Sequence, residues 1–251
     1  MHDFTPEQYQ LLITALSDSG IPHTLMHDVD AQPESALRIA QLEAAKGVKA
    51  TYYFRSMHFR SHAETIKAIV ALGHEAGYHY ECLTTTRGDI EAAYEDFRYN
   101  LKILRELTPV RTACAHGSPR SPYDSQNIWK QHDIHSLGID YEPLLDTDFG
   151  QTLYLTDTGR RWDGDKVSVR DKVPQYQELW RRKGLTFRST DDIIHAINDI
   201  HHPIHRKRLL INTHPQRWMP FGVRWVAEAG AQWWKNQAKR LVVLYAESRR
   251  P

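Results

Sequence analysis

The sequence predicts an α/β fold built on a parallel sheet. Two observations lead there. Strand-like and helix-like stretches alternate at short loop lengths, the pattern of βαβ units, and each notable polar cluster falls just after a predicted strand. The length, 251 residues, is one that an α/β barrel commonly fills as a single domain.

The elements follow in order. Thr5-Pro6-Glu7-Gln8 reads as an N-cap, an N1 proline and a capping-box glutamine, with Phe4 and Tyr9 placed as a staple and Gly20 ending the helix. Residues 23–26 form a short strand. Residues 33–46 are helical, with Leu37, Ile39, Ala40 and Leu42 apolar, and Gly47 closes the helix. Residues 48–54 are rich in strand formers. Ser61 with Glu64 reads as another capping box before a helix at 66–72, and a strand at about 75–80 follows. Residues 89–107 carry Ala92, Ala93, Phe97, Leu101 and Leu104 at helical spacing. Thr108-Pro109 stops that helix, and 110–115 is the next strand. Residues 117–183 are less regular, with short strands near 153–155 and 166–169. Alternation resumes with a strand at 185–188, a helix at 191–200 and a strand at 208–213. A helix from 223 to about 248 closes the chain, and its Trp225, Trp233, Trp234, Val242, Val243 and Leu244 read as core packing. No internal repeat or low-complexity linker interrupts residues 1–251, so one domain is expected.

Bulk properties exclude several classes. Lys plus Arg total 32 against 31 Asp plus Glu, which argues against a dedicated nucleic-acid or membrane-surface protein. Cys82 and Cys114 have no framework spacing, so nothing points to an oxidising compartment. The polar start Met1-His2-Asp3-Phe4 does not read as a signal peptide, and no apolar run is long enough to span a bilayer. A soluble cytoplasmic protein is expected.

The chemistry gathers at strand ends. Asp28 and Asp30 stand two residues apart after an apolar run. In extended chain such residues point the same way, and two like charges so placed repel unless a cation or proton lies between them. Taken alone, the pair reads rather as a cap for the helix opened by Pro33-Glu34-Ser35. His79 and Glu81 follow the third strand, His116 the fourth and His214 the strand at 208–213. Active sites of α/β barrels and open sheets lie at the C-terminal strand ends, so these clusters are expected to meet. Asp, His and a third N or O ligand suit Zn²⁺ or another borderline divalent ion. His74-Glu75 with His79 does not fit a zinc-protease helix, which needs histidines four apart. His201, His202 and His205, beside Arg206-Lys207-Arg208, read as structural.

Several stretches together resemble the NodB-homology polysaccharide deacetylases, carbohydrate esterase family four. They are Asp28-Val29-Asp30, residues 47–54, Gly73-His74-Glu75-Ala76-Gly77-Tyr78-His79, Ala115-His116-Gly117-Ser118-Pro119 and Asn212-Thr213-His214-Pro215. Residues 154–162 look like an atypical cytoplasmic branch linked with bacterial surface-polysaccharide sugars, the WbmS-like proteins. The resemblance implies a distorted (β/α)7-type barrel and metal-dependent hydrolysis of an N-acetyl or N-formyl amide on an amino sugar. It implies Asp30 and His79 as metal ligands, Asp28 as general base and His214 as general acid. Two positions depart from the family pattern. Leu83 stands where a second histidine is usual, and Ala113 where an arginine is usual. The third ligand is then His116, the preferred reading, or Glu81. Asp157, Arg160 and Arg161 are expected to bind the substrate's polar or anionic part, with Arg111 a weaker candidate. The substrate is expected to be a small or carrier-linked amino-sugar precursor. The alternatives are a metal-dependent glycosyltransferase, whose Asp-x-Asp holds an ion against a nucleotide diphosphate, and an inactive sugar-binding protein on the same fold.

Overall fold

A computed structural model describes residues 2–117, 121–163, 168 and 171–248, with side chains as far as 239. In chain order the elements are α1 (Pro6–Ser19), β1 (His23–Val29), α2 (Pro33–Ala44), β2 (Thr51–Phe54), α3 (Ala63–Ala71), β3 (Glu75–Tyr80), α4 (Cys82–Thr85) and α5 (Ile90–Arg105). Then come β4 (Ala113–Ala115), α6 (Pro143–Asp146), β5 (Thr152–Thr156), α7 (Pro174–Arg182), α8 (Thr190–Asn198), β6 (Arg208–Thr213) and α9 (Val223–Ser248). The strand order is β4-β3-β2-β1-β6-β5. The fold is the expected α/β type, of the distorted (β/α)-barrel kind, with six strands among the described residues.

The chain divides into two compact units, residues 26–147 and residues 1–25 with 148–251. Strand β1 contributes to both, since the division falls after Leu25. In the first unit β1, β2, β3 and β4 form parallel ladders, with Val29 opposite Phe54, Phe54 opposite Tyr78 and His79 opposite Cys114. The last five residues of β1 and of β3 are all buried. That is the signature of parallel strands covered on both faces. Helix α5 turns Ala93, Phe97, Leu101 and Leu104 inward, and the Phe97 ring meets Tyr78, Tyr80 and Trp129. Gly77 is required by close approach. A Cβ there would lie 2.5 Å from the Tyr53 ring and 2.8 Å from Thr112 Oγ1. The bare backbone lets that ring lie across the strand two residues before His79.

In the second unit, β5 and β6 pair in parallel from Thr152↔Arg208 to Thr156↔Asn212. Helix α1 starts as its sequence demands. The Thr5 hydroxyl accepts from the Gln8 N–H, Pro6 opens the first turn and Gly20 ends it at φ 67°. Trp218 is buried against Phe4 and Tyr9.

Four expectations need correction or fall outside the described residues. Ser61 does not cap α3; the N-cap is His62, because the Ser61 hydroxyl donates back to the Met57 carbonyl. The full capping box lies instead at α8, where Ser189 and Asp192 exchange hydrogen bonds. Residues 185–188 are not a strand. Leu185 and Phe187 are buried, but the segment joins no ladder. Trp233 and Trp234 are not core, being 54% and 70% exposed, since among the described side chains the stripe that turns inward runs through Trp225, Ala229, Gln232 and Asn236; Val242, Val243 and Leu244 lie outside the described side chains. The strand expected at 166–169 lies outside the described residues apart from Ser168, as do Ser118 and Pro119 of the third motif.

Candidate metal centre

The strand ends of the first unit bring a compact ligand set together. A carboxylate oxygen of Asp30 and one nitrogen each of His79 and His116 all lie within 4.8 Å of one another. The Nε2 atoms of His79 and His116 are each 3.4 Å from Asp30 Oδ1. Asp28 joins from β1, with Oδ2 3.9 Å from His79 Nε2. The two acids therefore converge on one histidine, as their spacing predicts. The rival reading, a helix cap, is not realised. The N-cap of α2 is Gln32, in the left-handed region and without a side-chain cap.

Each histidine is held by its other nitrogen. His79 Nδ1 lies 3.0 Å from the Cys114 carbonyl. That oxygen can only accept, so Nδ1 carries the proton and the Nε2 lone pair faces the carboxylates. His116 Nδ1 lies 3.1 Å from Glu81 Oε2, and the same argument aims its Nε2 at Asp30. An imidazole oriented by an acceptor behind it is the usual arrangement of a metal-binding histidine. Glu81 thus stands behind His116, outside the three residues whose ligand atoms converge. Its other oxygen accepts from the Arg55 guanidinium, and although burial pushes its carboxyl up, His116 and Arg55 bring it down to about 2. His58 steadies Asp30 through the backbone, with Nε2 3.2 Å from the Asp30 carbonyl.

The electrostatics ask for positive charge. Burial alone would lower the His79 pKa, but Asp28 and Asp30 outweigh it and raise it to about 9. The pocket between the acids takes either a proton on His79 or a cation. One carboxylate and two imidazoles suit Zn²⁺ or a similar divalent ion, so the residues present fit the metal that the motifs imply. Leu83, where the family pattern has a second histidine, is buried in α4, and His116, just after the neighbouring strand, is the second imidazole beside Asp30.

The second unit holds a separate polar group. His214 follows β6, and its Nδ1 lies 2.7 Å from Asp157 Oδ1. Asp157 also accepts from the His214 N–H, the Arg217 guanidinium and the Trp218 indole. Burial pushes its carboxyl up, but Arg217 and His214 bring it down to about 2. Asp157 is wholly buried, with its carboxylate against His214. Arg160 has φ 53°, and its guanidinium lies over the Trp225 ring at 4.8 Å. Arg161 is paired with Asp163 at 2.7 Å. Both arginines line a cavity of about 390 Å³ with Arg188, Trp225 and Gln232. Arg111 is exposed and tied to Asp140.

Arg55, His58, Cys114, Arg217 and Trp218 were not reached from sequence. Two carry a faint signal. Cys114 lies two residues before His116 and shares its face, and Arg217 lies three after His214.

No protein-family model matches the chain, and no curated protein matches it. Among solved structures the chain is similar to a Streptococcus mutans CE4 esterase, at 14% identity over 95% of this chain and 88% of that one, with a TM-score of 0.44. It is similar to the peptidoglycan deacetylase PdaC from Bacillus subtilis, at 13% identity over 88% and 96%, with a TM-score of 0.42. It is similar also to a CE4 family pseudoenzyme from Bacillus anthracis, at 14% identity over 87% and 61%, with a TM-score of 0.42. The chain spans 62% of the length of a family 4 carbohydrate esterase from Bacillus anthracis. Among the described residues no helix is long and apolar enough to cross a membrane.

Proposed function

We propose that the chain is a metal-dependent hydrolase that removes an acyl group from the nitrogen of an amino sugar, on the plan of the NodB-homology deacetylases its motifs resemble. The observation that carries this reading is the convergence of Asp30, His79 and His116, with both imidazoles oriented from behind. These three residues would hold the ion, and zinc is the ion the donor set suits best. When bound, such an ion supplies Lewis-acid activation of water and of the scissile carbonyl.

The protein's own groups do the rest. Asp28 is almost buried and lies beside His79 without belonging to that set. It takes the proton from the attacking water. His214 is held at Nδ1 by Asp157, and it delivers a proton to the leaving nitrogen. Asp157 fixes the tautomer and orientation of that ring. Arg160 and Arg161, with the Trp225 ring beside them, bind an anionic part of the substrate in the cavity they line. An amino sugar carried on a nucleotide or another phosphate fits that chemistry, and surface-polysaccharide synthesis is the process that uses such precursors. The Tyr154–Trp162 stretch supports the WbmS-like branch in particular, and residues 1–251 are read as one catalytic domain.

The test is metal content followed by amide hydrolysis. The purified protein should take up one Zn²⁺ per chain by calorimetry and release acetate or formate from an N-acylated amino sugar. Asp30→Ala should abolish both. Wild-type uptake of zinc undiminished in Asp30→Ala would overturn the ligand set, and hydrolysis that survives complete chelation would overturn the metal-dependent reading.

A further inference from the structure

A second ligand set lies on the same strands. A carboxylate oxygen of Asp28, a nitrogen of His79 and the Cys114 sulfur all lie within 4.8 Å of one another, and all three residues are buried. The sheet register brings them together. Cys114 on β4 stands directly opposite His79 on β3, so their side chains share a face, and Asp28 reaches the same histidine from β1 at 3.9 Å. His79 is common to both sets.

We infer that Asp28, His79 and Cys114 form a second seat for a divalent ion, selective for thiophilic ions such as Cd²⁺ and exclusive of the Asp30–His79–His116 seat. The chemistry separates the two. One offers only oxygen and nitrogen, and the other adds sulfur, which favours softer ions. Binding deprotonates the thiol, and the proton goes to solvent while the sulfur lone pair forms the metal bond. Because one His79 Nε2 cannot serve two ions, occupation of the sulfur seat empties the other. It also engages the carboxylate of Asp28. The claim about binding stands on the geometry alone. Its consequence, inhibition of hydrolysis by Cd²⁺, rests on the function proposed above.

The experiment uses Cd²⁺ alone as the probe on the full, metal-free chain. Cadmium bound to a thiolate gives an ultraviolet charge-transfer band. Wild type and Cys82→Ala should both develop it at one ion per chain. Cys114→Ala should lose it, with Cd²⁺ affinity falling about tenfold or more while Zn²⁺ uptake persists. Asp30→Ala and His116→Ala should keep the band, since neither residue belongs to this seat. A wild-type chain that binds Cd²⁺ with no charge-transfer band, or a band that survives Cys114→Ala, overturns the inference. Failure of the proposed hydrolysis leaves the band in place, so the two readings fail separately.

Discussion

Two clusters of histidine and carboxylate lie in the unit formed by residues 26–147, and they differ in what their nitrogens do. One is built on His27, Glu43, Tyr52 and His74. His27 Nε2 lies 2.9 Å from Glu43 Oε1, and the Tyr52 hydroxyl donates to Glu43 Oε2. His74 uses both ring nitrogens on backbone, accepting from the Ala50 N–H at Nδ1 and donating to the Ala40 carbonyl from Nε2. The side chains of His27, Glu43 and His74 are fully buried. The other cluster is Asp28, Asp30, His79 and His116, where each histidine gives one nitrogen to the protein and turns the other toward carboxylate oxygen. Residue types are nearly the same in both. His27 and Asp28 are even neighbours on β1, pointing to opposite faces of the sheet. A ligand site is therefore recognised by lone pairs aimed at a common point, and not by a count of histidines and acids.

The largest expected effect separates the members of the second cluster from each other. Asp28→Asn keeps its shape and loses the proton acceptor. Turnover should fall by about 10²–10⁴-fold, with one zinc per chain still bound by elemental analysis. Should zinc leave with the mutation, Asp28 would be a ligand and not a base.

The first cluster makes the opposite prediction. Removing one member of a buried, hydrogen-bonded charged group costs about 3–5 kcal/mol, because the partners remain buried without it. Glu43→Ala should lower the unfolding free energy by that order in urea titrations. The folded fraction should bind zinc with unchanged affinity. A metal defect with little loss of stability would show that the two clusters are coupled and that the contrast between them fails.

Glu81 tests the boundary between support and ligand. It stands behind His116 and carries Arg55 on its other oxygen. Carboxylates in that position are typically worth about 10–100-fold in metal affinity. Glu81→Gln should weaken zinc binding within that range and keep the stoichiometry. Full loss of the ion would make Glu81 a ligand in its own right.

What was legible in the sequence follows from range. The i, i+2 spacing of Asp28 and Asp30 and the placement of His79, His116 and His214 at strand ends are local facts, and β1, β3 and β6 were readable from short patterns. The position of Glu81 behind His116 was not, because it depends on Arg55, which reaches Glu81 across 26 residues of chain. The burial of Asp157 was equally hidden, since its partners His214, Arg217 and Trp218 lie 57 to 61 residues away. Residues 185–188 alternate like a strand, but alternation only says that Leu185 and Phe187 face inward. A ladder needs a neighbour with open backbone groups, which no local pattern reports.

Asp157 extends the comparison to the second unit, and its effect is the smallest. Like Glu43 it is a buried carboxylate engaged by donors, yet it supports a histidine proposed to act in catalysis. Its pKa is brought from an ordinary 3.8 down to about 2, against the upward push of burial, by Arg217 and His214. A carboxyl depressed on folding binds fewer protons in the native state than in the unfolded chain. Its stabilisation is therefore complete above the unfolded value and is lost as pH falls from about 4 toward 2. The shift corresponds to about 2 kcal/mol. Urea unfolding of wild type and Asp157→Asn between pH 6 and pH 2 measures it, since asparagine carries no titrating proton. The stability gap between the two proteins should narrow by about 2 kcal/mol across that acid window. A gap that stays constant would mean that Asp157 contributes hydrogen bonds alone, and that the charge of Arg217 and His214 is neutralised elsewhere.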